Sequence, residues 1–215
     1  MKVRMSVLVL VLLTFSFPGI VRGDDVHAGI DIRRWITTLG GIVGASDVAD
    51  ADGTSLRYVW LSRTNVKDAD LDGLGAIADL TELHLNDTKI SDDGLRRLAK
   101  LKKLRILTAA YTRVSDEGIR SLEGLKDLEQ LDLEGTQLAD EGVHRLVALK
   151  SLKTLMLSST RVTDVGLKDL GKMRQLEQLT LELPFITDAG VLELSNLHNL
   201  KFGNLDRTNV GRCVP

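Results

Sequence analysis

Six aspartates recur at a spacing of 24 residues, at Asp68, Asp92, Asp116, Asp140, Asp164 and Asp188. Repeated acids suit two chemistries, calcium ligation and helix capping. Calcium needs several oxygens converging on one point. Here the acids come one per repeat, with Lys67 beside the first. Each stands just before the apolar positions of a short helix, where its carboxylate can accept the free backbone N–H groups of that first turn. Capping is therefore the expected role of all six, and no metal or cofactor is expected. The histidines, His27, His84, His144 and His198, do not have metal-ligand spacing. Ser62, Ser158 and the other serines lack a nucleophile elbow or an assigned base. Glu82 and Asp132 lie two repeats apart, roughly 10 Å by strand spacing, which is wide for a carboxylate pair. No catalytic residue is expected.

The elements that position these residues follow from one 24-residue unit, repeated seven times after residue 56. Its anchor recurs at Val59, Leu83, Leu107, Leu131, Leu155 and Leu179, and in degraded form at Gly203. Within one unit, Leu83 and Leu85 are two apart and predict a short strand. Leu95, Leu98 and Leu101 are three apart and predict one face of a short helix or 3₁₀ segment. Such a unit cannot bury its own apolar edge; stacked copies can, which predicts a solenoid. Thr64, Thr88, Thr112, Thr136, Thr160 and Thr208 form a ladder in the turn leaving each strand, where hydroxyls can share hydrogen bonds between adjacent turns. Pro184 interrupts that ladder. Gly94, Gly118, Gly142, Gly166 and Gly190 each follow an aspartate by two residues, as expected where neighbouring segments pack closely.

The first 23 residues read differently. Lys2 and Arg4 precede an apolar run from Val7 to Leu13, and Gly23 can end a cleavage site. This predicts a signal peptide over 1–23 and a secreted or periplasmic mature chain, with an N-terminal membrane anchor as the alternative. Removing Lys2, Arg4 and Arg22 leaves 25 basic residues against 30 acidic ones, a net charge of −5. That balance gives no reason to expect nucleic acid as the partner. Cys213 is the one cysteine, so packing and not a disulfide must hold the framework. Aromatics are 4% of the chain, so aliphatic side chains must fill the core. Residues 24–55 predict a cap helix and linker: Ile32, Trp35, Ile36 and Leu39 share one helix face, and Gly40-Gly41 ends it.

The segment Leu176 to Val191, L-E-Q-L-T-L-E-L-P-F-I-T-D-A-G-V, resembles the unit of leucine-rich-repeat proteins. The similarity is to the cysteine-containing subtype, with threonine in the Cys or Asn place. It covers residues 56–210 and leaves 211–215 as a tail. It implies an α/β horseshoe with a parallel concave sheet and short convex helices. Exported bacterial repeat proteins look like this chain. The repeat part of F-box ubiquitin-ligase subunits does too, although no F-box segment is present.

Strand residues alternate between the core and the concave face. The outward positions include Tyr58, Trp60, Glu82, His84, Asn86, Ile106, Asp132, Glu134, Met156 and Glu182, with Tyr111 near the rim. Unlike the core lines, this set is chemically varied. Aromatic and apolar anchors among polar groups suit protein or peptide recognition. The expected function is non-catalytic partner binding through this face. The alternatives are an exported structural domain, a carbohydrate-binding module around Trp60 and Tyr58, and the substrate-recognition part of a ubiquitin-ligase-like assembly. The seventh unit lacks its helical half, and its strand suggests self-association at the C-terminal end.

Overall fold

The computed structural model describes residues 29–44 and 56–204. The expected signal peptide, Thr208, Cys213 and the C-terminal tail lie outside them. Each anchor residue occupies the middle of a three-residue strand. These strands are Tyr58–Trp60 (β2), Glu82–His84 (β3), Ile106–Thr108 (β4), Gln130–Asp132 (β5), Thr154–Met156 (β6), Gln178–Thr180 (β7) and Phe202–Asn204 (β8). Consecutive strands pair in parallel, and residues 24 apart face each other throughout: Leu83 opposite Leu107, Leu107 opposite Leu131. An uninterrupted repeat length thus becomes an unshifted register.

Sequence reading missed one strand. Ile42–Gly44 (β1) pairs antiparallel with β2, setting Ile42 opposite Trp60. It follows the cap helix Gly29–Thr38 (α1) and lies outside the leucine frame, so nothing in the repeat pattern marks it. The turn between them is a Schellman motif: Gly41 N–H donates to Ile36 C=O (2.9 Å) and Gly40 N–H to Thr37 C=O (3.0 Å). Gly40 has φ +80°, which a glycine adopts without strain. Ile36 is fully buried against the first repeat, and the Trp35 ring fills the space above Gly73. Together α1 and β1 cover the N-terminal edge of the stack.

The helical halves lie behind the sheet: Asp92–Leu98 (α2), Asp116–Ile119 (α3), Asp140–Leu146 (α4), Asp164–Leu170 (α5) and Asp188–Glu193 (α6). The first repeat has a 3₁₀ helix, Asp68–Ala76, in this place. Between the layers the leucine lines form one continuous core, with Leu83, Leu95, Leu107, Leu122, Leu146 and Leu155 fully buried. Each such burial stabilises the fold by about 1.5–3 kcal/mol.

Five of the six aspartates, Asp68, Asp92, Asp116, Asp140 and Asp164, act across repeats and not on their own first turn. Asp68 Oδ1 accepts from Ser91 N–H and Oδ2 from Ser91 Oγ, both at 2.7 Å. Asp92 holds Ser115 in the same way, and Asp164 holds Thr187. Asp116 accepts from Ala139 N–H, where the partner has no hydroxyl. Asp140 binds Thr163 N–H and Oγ1 and also Gly166 N–H in the first turn of α5. The reason is positional. The Asp is the first helical residue, and the residue before it is the cap, so its side chain leans toward the following repeat.

This contact also explains the glycine line. A Cβ on Gly94, Gly118 or Gly142 would stand 2.5 Å from the preceding repeat's Asp Oδ1. The first copy has Asp70 in this place, and the position 24 residues before Asp68 is Gly44, which has no carboxylate to accommodate.

The threonines also differ from expectation. Thr64, Thr88, Thr112, Thr136 and Thr160 each donate Oγ–H to the carbonyl three residues back in their own turn, at 2.6–2.7 Å. They do not bridge repeats. The inter-repeat bonds there come from backbone N–H groups, such as Asp87 to Ala110 C=O and Tyr111 to Glu134 C=O.

Candidate partner-binding face

Arg63, Asp87, Tyr111, Gly135 and Ser159 occupy one position of successive repeats, and all have φ between 55° and 64°. This left-handed residue turns the chain from the sheet toward the core threonine. Four of the five are not glycine, so only Gly135 hinted at it in the sequence. Leu183 breaks the series because Pro184 restricts the residue before it; its N–H donates to Leu181 C=O. Leu183 is fully buried there, and Phe185 is exposed.

The outward strand positions form two groups. At the N-terminal end the Trp60 ring stacks on His84, with centroids 4.4 Å apart and planes 29° apart. Trp60 remains 49% exposed, and Ile42, opposite it on β1, is 64% exposed. Ile42 belongs to the same surface and was not recognised from sequence. Tyr58 lies over Gly44 and serves the cap more than the open face. His84 Nδ1 lies 3.2 Å from Thr108 Oγ1. Burial holds the imidazole below its ordinary value, against an opposing pull from Glu82.

The second group is central. Tyr111 is 53% exposed at the rim, lies over Gly135 and donates its hydroxyl to Glu134 Oε1. That bond, then burial and the charges of Glu134, Asp132 and Asp87, push the phenol up to about 12. Burial raises the Asp132 carboxyl above its ordinary range, and the Glu134 charge adds to this. The Glu134 N–H, donated to Asp132 Oδ1 at 3.0 Å, pulls the other way. Met156 stands opposite Asp132 in the register, and Ile106 opposite Glu82 and Gln130.

Two predicted contact residues have structural duties. Asn86 Oδ1 accepts from Ala110 N–H at 2.9 Å, so its carbonyl is engaged in the scaffold. Glu182 lies at the C-terminal end of the face, where its backbone N–H donates to Ser158 Oγ and its Oε1 accepts from Asn204. The face thus holds an aromatic shelf and a carboxylate centre, three strands apart. No group of three or more His, Cys, Asp or Glu able to hold a metal occurs among the described residues. An open depression lined by Lys168, Lys172, Arg174 and Glu193 lies on the helix side, away from His84.

Comparison with known proteins agrees with this architecture. Residues 78–99, 124–147 and 148–171 match the family described as Leucine Rich repeat. None of the curated proteins is a significant match. Similar solved structures include two internalins from Listeria monocytogenes. One aligns at TM-score 0.58 and 23% identity, covering 68% of this chain and 39% of its own. The other, internalin C2, aligns at TM-score 0.62 and 23% identity, covering 85% and 79%. The chain thus carries leucine-rich repeats in a solenoid fold. Domains of this kind commonly mediate protein–protein interaction and are typically non-catalytic. Among the described residues no helix is long and apolar enough to cross a membrane.

Proposed function

We propose that this protein is a non-catalytic recognition scaffold that binds a protein partner through its concave sheet. The observation that carries this reading is the contrast along one register line: Trp60, His84, Thr108, Asp132, Met156 and Thr180 follow one another on an open face. A scaffold requirement would repeat one residue type there, as it does in the core. Rigid strands present this varied row without an ordering cost at binding. Export after cleavage at Gly23 belongs to the same reading and is checked by sequencing the N-terminus of the mature protein.

The experiment is capture from native extracellular or envelope extract by the unmodified chain and by a Trp60→Ala/Asp132→Lys variant. A partner retained only by the unmodified chain supports the reading. Equal capture by both, with matching circular dichroism, refutes the concave face as the site.

A further inference from the structure

The concave face carries charge of one sign. Among its described outward positions, the first and third residue of each strand and the residue two beyond it, the carboxylates are Glu82, Asp132, Glu134 and Glu182, and there is no lysine or arginine. This is not a shortage of bases, since the chain has 28. The bases stand at the borders, where Arg105 pairs with Glu129 (2.8 Å), Lys201 with Glu177 (2.6 Å) and Arg63 with Asp87 (3.4 Å). Arg57 and Lys153 at the same border act on Asp79 and Glu177. Bases thus stand beside the border carboxylates, and none stands among Glu82, Asp132 and Glu134 on the described inner positions. A concave surface lined by one sign focuses its field and attracts the opposite charge. An independent feature at the N-terminal end has the same preference. Half-exposed Trp60 offers a ring to a cation, and Ile42 beside it offers apolar contact to the aliphatic stem of a lysine or arginine.

We propose that the concave sheet receives a cationic segment of a partner protein, with one basic side chain on the Trp60–His84 shelf and another at Asp132 and Glu134. This rests on the concave-face reading above and specifies the chemistry of its partner. Trp60 on β2 and Asp132 on β5 are three strand spacings apart, about 14 Å. An extended chain covers that distance in about four residues. The segment therefore carries bases about four residues apart and crosses the strands.

The test uses two labelled nine-residue peptides and the full chain. One peptide has lysine at its first, fifth and ninth positions with serine and alanine between; the other has glutamate in their place. Anisotropy titrations at low salt and at about 0.15 M are expected to show binding of the lysine peptide alone, weakening with salt. Asp132→Asn/Glu134→Gln is expected to lower its affinity about tenfold, and Trp60→Leu about threefold. The first variant keeps the acceptors for Glu134 N–H and the Tyr111 hydroxyl, so the fold is retained. No binding of the lysine peptide up to about 1 mM, equal binding of both peptides, or indifference to the double substitution overturns the proposal. Binding of the glutamate peptide alone overturns it too and points to another occupant. A native partner lost on Trp60→Ala but kept by Asp132→Asn/Glu134→Gln leaves the concave reading standing and removes the cationic one.

Discussion

The two sides of each repeat use carboxylates in opposite ways. On the helix side, Asp68, Asp92, Asp116, Asp140 and Asp164 meet the cap residue of the next repeat, four of the five with a second bond to its hydroxyl. A glycine stands where any Cβ would collide with the carboxylate. On the concave side, Asp132 is the one acid on its line and Glu134 recurs only as Glu182, while the tyrosine beside them is found in no other repeat at that position. Repetition marks positions that geometry dictates, and variety marks positions released from that duty. The comparison predicts a separation. Substitutions in the Asp–Gly seam should cost stability and leave partner affinity of the folded molecule intact, while concave substitutions should do the reverse.

The seam should give the largest loss. Asp140→Ala removes three accepted hydrogen bonds and leaves Gly166 N–H without its carboxylate. It is expected to cost about 2–3 kcal/mol in urea unfolding. A loss below about 0.5 kcal/mol would mean that the repeats are held by the leucine lines alone. Gly142→Ala comes next at about 1–3 kcal/mol, because its Cβ meets both Asp116 Oδ1 and the Leu138 side chain. Pairing it with Asp116→Ala should recover part of the loss, since one collision partner is then gone. Thr136→Val removes the buried donor to Leu133 C=O and should cost about 1 kcal/mol by the same measurement.

The smallest effect sharpens the concave side. Burial raises Asp132 in the folded state, so the folded protein holds its proton more tightly than the unfolded one. The resulting stability is present below the unfolded value, 3.8, and is lost as pH rises through the folded value. Asp132→Asn should therefore raise the unfolding midpoint slightly at neutral pH and give no gain at the acid end. A midpoint lowered at neutral pH would show that the charged Asp132 supports the fold and is not held there for another purpose.

Much of this architecture was legible in the sequence, for a physical reason. Leucines at fixed places in an unshifted 24-residue frame have only one way to bury themselves, so Leu83, Leu95 and Leu107 announced the core. Gly40-Gly41 announced the end of α1. The direction of the polar contacts was not legible. Residue type says that Asp92 can accept N–H groups, but the neighbouring repeat lies about 5 Å away, close enough to take that carboxylate from its own helix. The threonines went the other way, because the left-handed residue before each one folds the hydroxyl back onto its own strand. That conformation falls on Arg63, Asp87, Tyr111 and Ser159, residue types with no shared signature. Strand β1 was hidden because three residues, Ile42 to Gly44, are too short to show a period.

The outward set was legible as a list and not as groups. Nothing in the spacing showed that Trp60 would stack on His84 while Asn86 turned to the backbone of Ala110. Tyr111 was placed at the rim, but its bond to Glu134 depends on the left-handed turn that the sequence concealed.

The most direct test of the central claim is site-specific photo-crosslinking in native extract. A benzophenone amino acid is placed at Met156 on the concave sheet or at His144 on the exposed side of α4. Partner recognition through the sheet predicts a discrete crosslinked species from position 156 that is lost on Trp60→Ala, and none from position 144. A crosslink from position 144 alone would contradict the account and move recognition to the helix side.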